Sequence, residues 1–155
     1  MATTEQQIQW LVDRAEITDT LHEWLDYVDT KQFAKTLDLC TEDCEFEYDW
    51  GILTAAQLRG RATDLGSEEH TVFSASHHML TNHRIDVDGD VARASLKVQA
   101  AHIRDPEDAD SWYVIGGIYN NEFRRTEDGW RMSRVKLAHT WETGDSGMPS
   151  LKAGA

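Results

Sequence analysis

Apolar and polar positions along the 155-residue chain follow two regimes, a helical one first and a strand one after it. Between residues 4 and 29, Ile8, Leu11, Val12, Ala15, Leu21, Trp24, Leu25 and Val28 recur every three or four positions, which predicts one long amphipathic helix. Thr4 is its expected N-cap, with Glu5 in the first turn. Asp26 and Asp29 fall near its C-terminal end, where the helix dipole disfavours anions, so Asp26 is expected in water and Asp29 against a cationic partner. A short helix over 31–39 follows, with Phe33 and Leu37 inward. The run Cys44-Glu45-Phe46-Glu47-Tyr48-Asp49-Trp50 then alternates strictly and predicts a half-buried strand closed by Gly51. Residues 53–64 read as a third short helix carrying Leu58, and 65–70 as a loop.

From Val72 onward the period is two. Strands are expected over 74–87 and 91–103, joined at Asp88-Gly89, and over 112–124 and 130–141, joined at Glu127-Asp128-Gly129. Pro106 and four acids mark 104–110 as a loop, and the Gly-, Ser- and Ala-rich end is expected to be a flexible tail over 144–155. Helices followed by hairpin-linked strands predict a single α+β domain over 1–143. The expected shape is a cone-like α+β barrel, in which a curved antiparallel or mixed sheet is wrapped by N-terminal helices around a central pocket.

Composition narrows the partners. A formal net charge of −13 excludes the basic surface that nucleic acid or an anionic membrane requires. No apolar run is long enough to span a bilayer, and the first residues have no basic and apolar signal segment, so a cytoplasmic protein is expected. Cys40 and Cys44, the only cysteines, are too few for a disulfide framework and read as reduced and structural.

Candidate chemistry lies on the faces expected to point inward. His78 shares a strand face with Leu80 and Asn82. His102 lies with Leu96, Val98 and Ala100, opposite Arg93, Lys97 and Gln99, and an imidazole buried there requires a partner. Tyr48 is the polar-tipped member of the Cys44-Phe46-Tyr48-Trp50 face. Asn120 is the polar member of a Trp112-Val114-Ile118-Asn120 face, and Gly116-Gly117 leaves room for a backbone or ligand. Each of these has an alternative as a hydrogen-bonded core residue. Together they predict a pocket lined by Trp24, Phe46, Trp50, Leu80, Val98, Trp112 and Ile118. The Asp86–Asp90 run lacks the glycine and glutamate positions of a calcium loop and is explained by a hairpin turn. No nucleotide-binding or serine-hydrolase motif is present.

The ordered set Arg14-Ala15-Glu16-Ile17, Tyr27-Val28-Asp29-Thr30-Lys31, Ser76-His77-His78-Met79-Leu80-Thr81-Asn82, Asp88-Gly89-Asp90, Ile115 to Phe123 and Asp128-Gly129-Trp130 spans nearly the whole chain. It resembles the SnoaL-like branch of the nuclear transport factor 2-like superfamily, and within it two lyase families, the scytalone dehydratases and the hexachlorocyclohexane dehydrochlorinases. The resemblance implies that Asp29 orients His78 as a base. It also implies that His102, Tyr48 and Asn120 act on the substrate, with Arg124 or Arg125 nearest to the dehydrochlorinases' basic residue. Trp24 and Val28 depart from the polar residue and the tyrosine those enzymes carry there. The implied reaction is proton abstraction and loss of water from a small cyclic or aromatic, mostly apolar substrate, needing no metal or organic cofactor. Association into a dimer or trimer is implied as well. An isomerase or cyclase, a dehydrohalogenase and a non-catalytic ligand-binding domain are the alternatives.

Overall fold

The structure is a computed structural model that describes residues 2–48, 51–59 and 73–145. Helix α1 (Thr4–Asp29) is capped one residue earlier than expected: Thr3 accepts from the Gln6 amide at 3.2 Å, and Gln6 Oε1 accepts from the Thr3 amide at 2.9 Å. This reciprocal pair satisfies two donors that a helix start otherwise leaves open. Of the predicted stripe Leu21, Trp24 and Leu25 are buried, together with Ile17, which the stripe did not include. Ile8, Leu11 and Val12 are exposed, because at about 100° per residue they fall on the side of the helix opposite the buried Asp13, Ile17 and Trp24.

Helix α2 (Phe33–Thr36) and a 3₁₀ turn (Leu37–Leu39) lead into strand β1 (Cys40–Tyr48). β1 pairs antiparallel with β2 (Gly51–Thr54), a strand where a loop and helix start were expected. The four residues are too few to display alternation. Thr54 and Gln57 then exchange backbone-to-side-chain bonds of 2.8 and 3.2 Å, which starts a helical turn over 55–59. The rest of the helix and loop expected over 53–70, together with Trp50 and positions 146–155 of the tail, lies outside the described residues. Cys40 and Cys44 are free and buried.

Four long strands follow the predicted hairpins closely: β3 (Ala75–Asp88), β4 (Val91–Ile103), β5 (Trp112–Thr126) and β6 (Gly129–Thr143). Gly89, at φ 61°, makes the tight β3–β4 turn that a side chain would strain. The six-stranded sheet runs β2-β1-β6-β5-β4-β3, antiparallel except for the parallel β1–β6 pair, and it does not close. α1 packs against β3 and β6, so the core lies between the helix and one face of the sheet.

Irregularities decide which side chains reach that face. In β3 the register shifts between Thr81 and Arg84, where Asn82 adopts φ 57°. Such a bulge moves the inward positions from even to odd numbers. Ser76, His78 and Leu80 point in before it and His83, Ile85 and Val87 after it, while Asn82, expected inward, is exposed.

A buried ion pair ties the middle of α1 to the end of the sheet. Asp13 accepts two bonds from Arg125, both 2.9 Å, one from Trp130 Nε1 at 3.2 Å and one from Gln9 at 3.0 Å. Arg125 also lies 4.4 Å above the Trp130 ring and bonds Asp90. The Arg125 guanidinium, against the opposing effect of burial, holds the Asp13 carboxyl below its ordinary value. Breaking one member of a buried pair leaves the other charge stranded. Asp13→Ala is therefore expected to lower folding stability by about 3–5 kcal/mol, read as a leftward shift of the urea midpoint at unchanged slope.

Candidate active site

At the end of α1 the Asp29 carboxylate has the last helical carbonyls behind it, a location the helix dipole disfavours. Three donors from the start of β3 compensate. Ser76 Oγ donates to Oδ1 at 2.7 Å, the His78 amide to Oδ2 at 2.8 Å, and His78 Nδ1 contacts Oδ1 at 2.6 Å. Burial pushes the Asp29 carboxyl up, but the bonds from His78 and Ser76 outweigh it and hold the group at about 2. The carboxylate is therefore ionised at neutral pH. An ionised acceptor requires a proton on Nδ1, which leaves the Nε2 lone pair as the basic atom of His78. Both side chains are largely sheltered, His78 8% and Asp29 19% exposed. The partner of Asp29 is thus His78, a hydrogen-bond donor through Nδ1 where a cation was expected, with Ser76 as a third member that the sequence pattern did not single out.

His102 faces the same interior, since it pairs with Ser76 across the β3–β4 ladder. Its ring stands edge-on to His78, with centroids 5.4 Å apart at 88°, and packs near Phe73 and Tyr113. Burial, then the neighbouring His78, lowers its pKa, and a backbone bond with Tyr113 pulls the other way. His102 is thus a neutral imidazole at pH 7, and its Nδ1 is buried without a hydrogen-bond partner among the described residues. Tyr113 donates to Glu142 at 2.6 Å, and burial followed by that bond raises its phenol to about 12.

Tyr48, Phe46, Leu80, Val98 and Trp24 all contribute to the interior. Phe46, Val98 and Trp24 are buried, and Leu80 and Tyr48 pack against the core. Burial raises the Tyr48 phenol well above its ordinary value. β5 is where expectation and structure part. Its inward residues are Tyr113, Ile115, Tyr119, Asn121 and Phe123, opposite the inward Ala92, Ala94, Leu96 and Ala100 of β4. Asn120 and Trp112 are consequently exposed on the other face. Ile118 lines a groove of about 380 Å³ there, beside Met79 and Trp141. Apolar residues occupy both faces over 112–119, so alternation alone picks neither. The charges of Glu122 and Arg124 mark the even positions as outward, and that signal was available.

Asn121, rather than Asn120, is the buried amide; its Oδ1 accepts from the Lys136 backbone at 3.2 Å. The glycine pair is filled by protein. A Cβ on Gly116 would fall 2.1 Å from the Trp141 ring, and one on Gly117 would fall 2.9 Å from the Ala138 carbonyl. Arg124 and Arg125, the residues nearest to the dehydrochlorinases' basic residue, bond Asp43 and Asp13 respectively. No cluster of three or more metal-ligating side chains occurs among the described residues. No helix among them is long and apolar enough to cross a membrane.

The arrangement can accept a proton at His78 Nε2 and present neutral hydrogen-bonding groups around it. Comparison with known proteins places the chain in a family. The SnoaL-like domain family matches residues 9–136. The chain is similar to the Kfla4162 protein from Kribbella flavida at 30% identity, covering 85% of this chain and 93% of that one with a TM-score of 0.74. It shares its fold with a candidate scytalone dehydratase from Novosphingobium aromaticivorans at 22% identity, 87% and 89% coverage and a TM-score of 0.74. A hexachlorocyclohexane dehydrochlorinase, LinA type 2, gives 21%, 92% and 95%, and 0.73. No curated protein matches the sequence. With the family matched over most of its length and the open α+β sheet in place, the chain belongs to the SnoaL-like domain family of the nuclear transport factor 2-like superfamily.

Proposed function

We propose that the chain is a lyase of the dehydratase type, acting on a small cyclic or aromatic substrate with no requirement for a metal or organic cofactor. The observation that carries this reading is the 2.6 Å contact between His78 Nδ1 and an Asp29 carboxylate held ionised inside the fold. A carboxylate in that position fixes the tautomer and stabilises the imidazolium that proton abstraction creates. The names of two fold neighbours, a dehydratase and a dehydrochlorinase, both describe eliminations. Phe46, Val98 and Trp24 lie in the apolar core and Leu80 packs against it, and in this reading they surround the ring of the substrate.

In this reading His78 Nε2 removes a proton from carbon next to a carbonyl, and the electron pair moves to the carbonyl oxygen. Tyr48, kept protonated by burial, stabilises that oxygen. The enolate then reforms its carbonyl and expels hydroxyl from the neighbouring carbon, while neutral His102 steadies the leaving group. The proton taken by His78 departs with that hydroxyl as water, so the dyad returns to its starting state.

His78→Ala and Asp29→Ala are each expected to cut turnover about 10²–10⁴-fold in folded protein. The double variant should lose little more, because the two act as a unit. Incubation with a panel of cyclic β-hydroxy ketones, followed by mass spectrometry, checks this. Product lighter by one water supports the lyase, unchanged mass with rearranged spectra shows an isomerase, and full turnover by either variant removes the dyad.

Stability in acid reports on the same contact. The folded carboxyl of Asp29, at about 2, lies below the value of about 3.9 in an unfolded chain, so the folded state binds that proton less tightly. Its contribution, roughly 2 kcal/mol, is complete above the unfolded value and is lost as pH falls through the folded one. Asp29→Asn is expected to flatten the stability curve over roughly pH 4 to 2, measured by urea unfolding at successive pH values.

A further inference from the structure

The side of α1 turned away from the sheet carries an apolar patch and an acidic patch in line. At about 100° per residue, Ile8, Leu11, Val12 and Ala15 fall within about 60° of a single line along the helix, and Asp19, Glu23 and Asp26 continue that line to its C-terminal end. All of them are exposed, Ile8 to 57%, Leu11 to 59% and Val12 to 43%. Single exposed apolar side chains are ordinary, but aliphatic residues at this spacing make a continuous patch, the kind that marks an interaction site. The charge on this side has no counterpart on the helix. α1 has no lysine, and its one arginine, Arg14, turns to β3, where it donates to the Ile85 carbonyl at 2.8 Å. Glu23 accepts from the neutral Tyr27 hydroxyl at 2.6 Å, and none of the three acids forms an ion pair among the described residues.

We propose that this side of α1 is a docking surface for a basic amphipathic helix. The partner lays two turns of aliphatic side chains on Ile8, Leu11, Val12 and Ala15 and runs parallel to α1, so that lysines or arginines in its next turns meet Asp19, Glu23 and Asp26. Apolar contact supplies the affinity, and the acids fix direction and register. The same order suits the partner, because cations near the C-terminal end of a helix are favoured by its dipole. Other occupants match less of the surface. A second copy laid parallel sets acid against acid; laid antiparallel, with the apolar patches overlapping, it leaves both acidic halves unmatched. An anionic membrane would accept the apolar half and repel the acidic one. None of these residues belongs to the histidine–aspartate site, so the surface stands apart from the reaction assigned there.

The test is a fluorescence anisotropy titration of the full chain against a fluorescein-labelled peptide about four helical turns long. Its first half carries leucines at the spacing of the stripe, and its second half carries lysines along the same line. Wild type is expected to bind it, more weakly as salt is raised. Leu11→Ser should weaken binding about tenfold while leaving the dichroism spectrum and thermal midpoint unchanged. Asp19→Asn combined with Asp26→Asn should also weaken binding and flatten its dependence on salt. Should Leu11→Ser unfold the chain, a peptide with alanine in place of leucine carries the apolar arm of the test, and wild type must bind it about tenfold more weakly. No binding by wild type, equal binding of the leucine and alanine peptides, or binding that both sets of variants leave unchanged overturns the proposal, the last being attraction to overall charge. So does a wild-type dimer in sedimentation, or co-sedimentation with phosphatidylserine vesicles, that Leu11→Ser abolishes, since either gives the stripe to another occupant.

Discussion

A carboxylate that ends a helix inside a protein requires donors, and around Asp29 that requirement organises the site. The helix dipole and burial both work against the charge. The first residues of β3 supply two side-chain contacts and a backbone amide, and together they hold the group ionised. Position, charge and tautomer are therefore not independent. If α1 slid along β3 by a single residue, Asp29 would lose Ser76, the His78 amide and the His78 ring together. The Asp13–Arg125–Trp130 cluster opposes such a slide from the middle of the same helix. The helix is thus anchored to the sheet at two points, only one of which faces the chemistry.

The sheet does the remaining sorting through parity. His78 and His102 come from neighbouring strands, and the antiparallel register sets Ser76 beside His102 and His78 beside Ala100. Small residues at Ala92, Ala94 and Ala100 keep the β4 surface low, while the larger Phe123, Tyr119, Trp130 and Leu137 fill from β5 and β6. One bulge in β3, around Asn82, lets the first half of that strand present imidazole and serine and the second half present His83 and Ile85 to the core. Without it Arg84 and Asp86 would point into the apolar layer.

Much of this was legible in the chain. The period of α1, the Asp88-Gly89 and Asp128-Gly129 turns and the inward face of β4 each had a local signal, and the hairpins formed where those signals lay. The Asp29–His78 pairing came from a resemblance, and local pattern contributed only the discomfort of an acid at a helix end. What could not be read depended on partners distant in sequence. Ile8, Leu11 and Val12 fall on the side of α1 away from the buried Asp13 and Ile17, and the sequence alone did not say which side the sheet would take. β2 is four residues long and exists because Gly51 to Thr54 pair with β1. Asn120 was placed inward because both faces of β5 begin apolar, although Glu122 and Arg124 further along marked the even positions as outward.

The parallel pairing of β1 with β6 has a consequence for how the chain reaches this state. β3, β4, β5 and β6 are joined in order by short connections, so their ladders close small loops and can zip from the turns outward. β1 has its neighbour at the opposite end of the chain, with Phe46 beside Val135. During synthesis β1, with β2 on its edge, therefore has no sheet to join until the final strand has emerged. The order of assembly is set by topology: the meander closes on its own turns, α1 needs only β3 to make the histidine–aspartate contact, and β1 joins last, on β6.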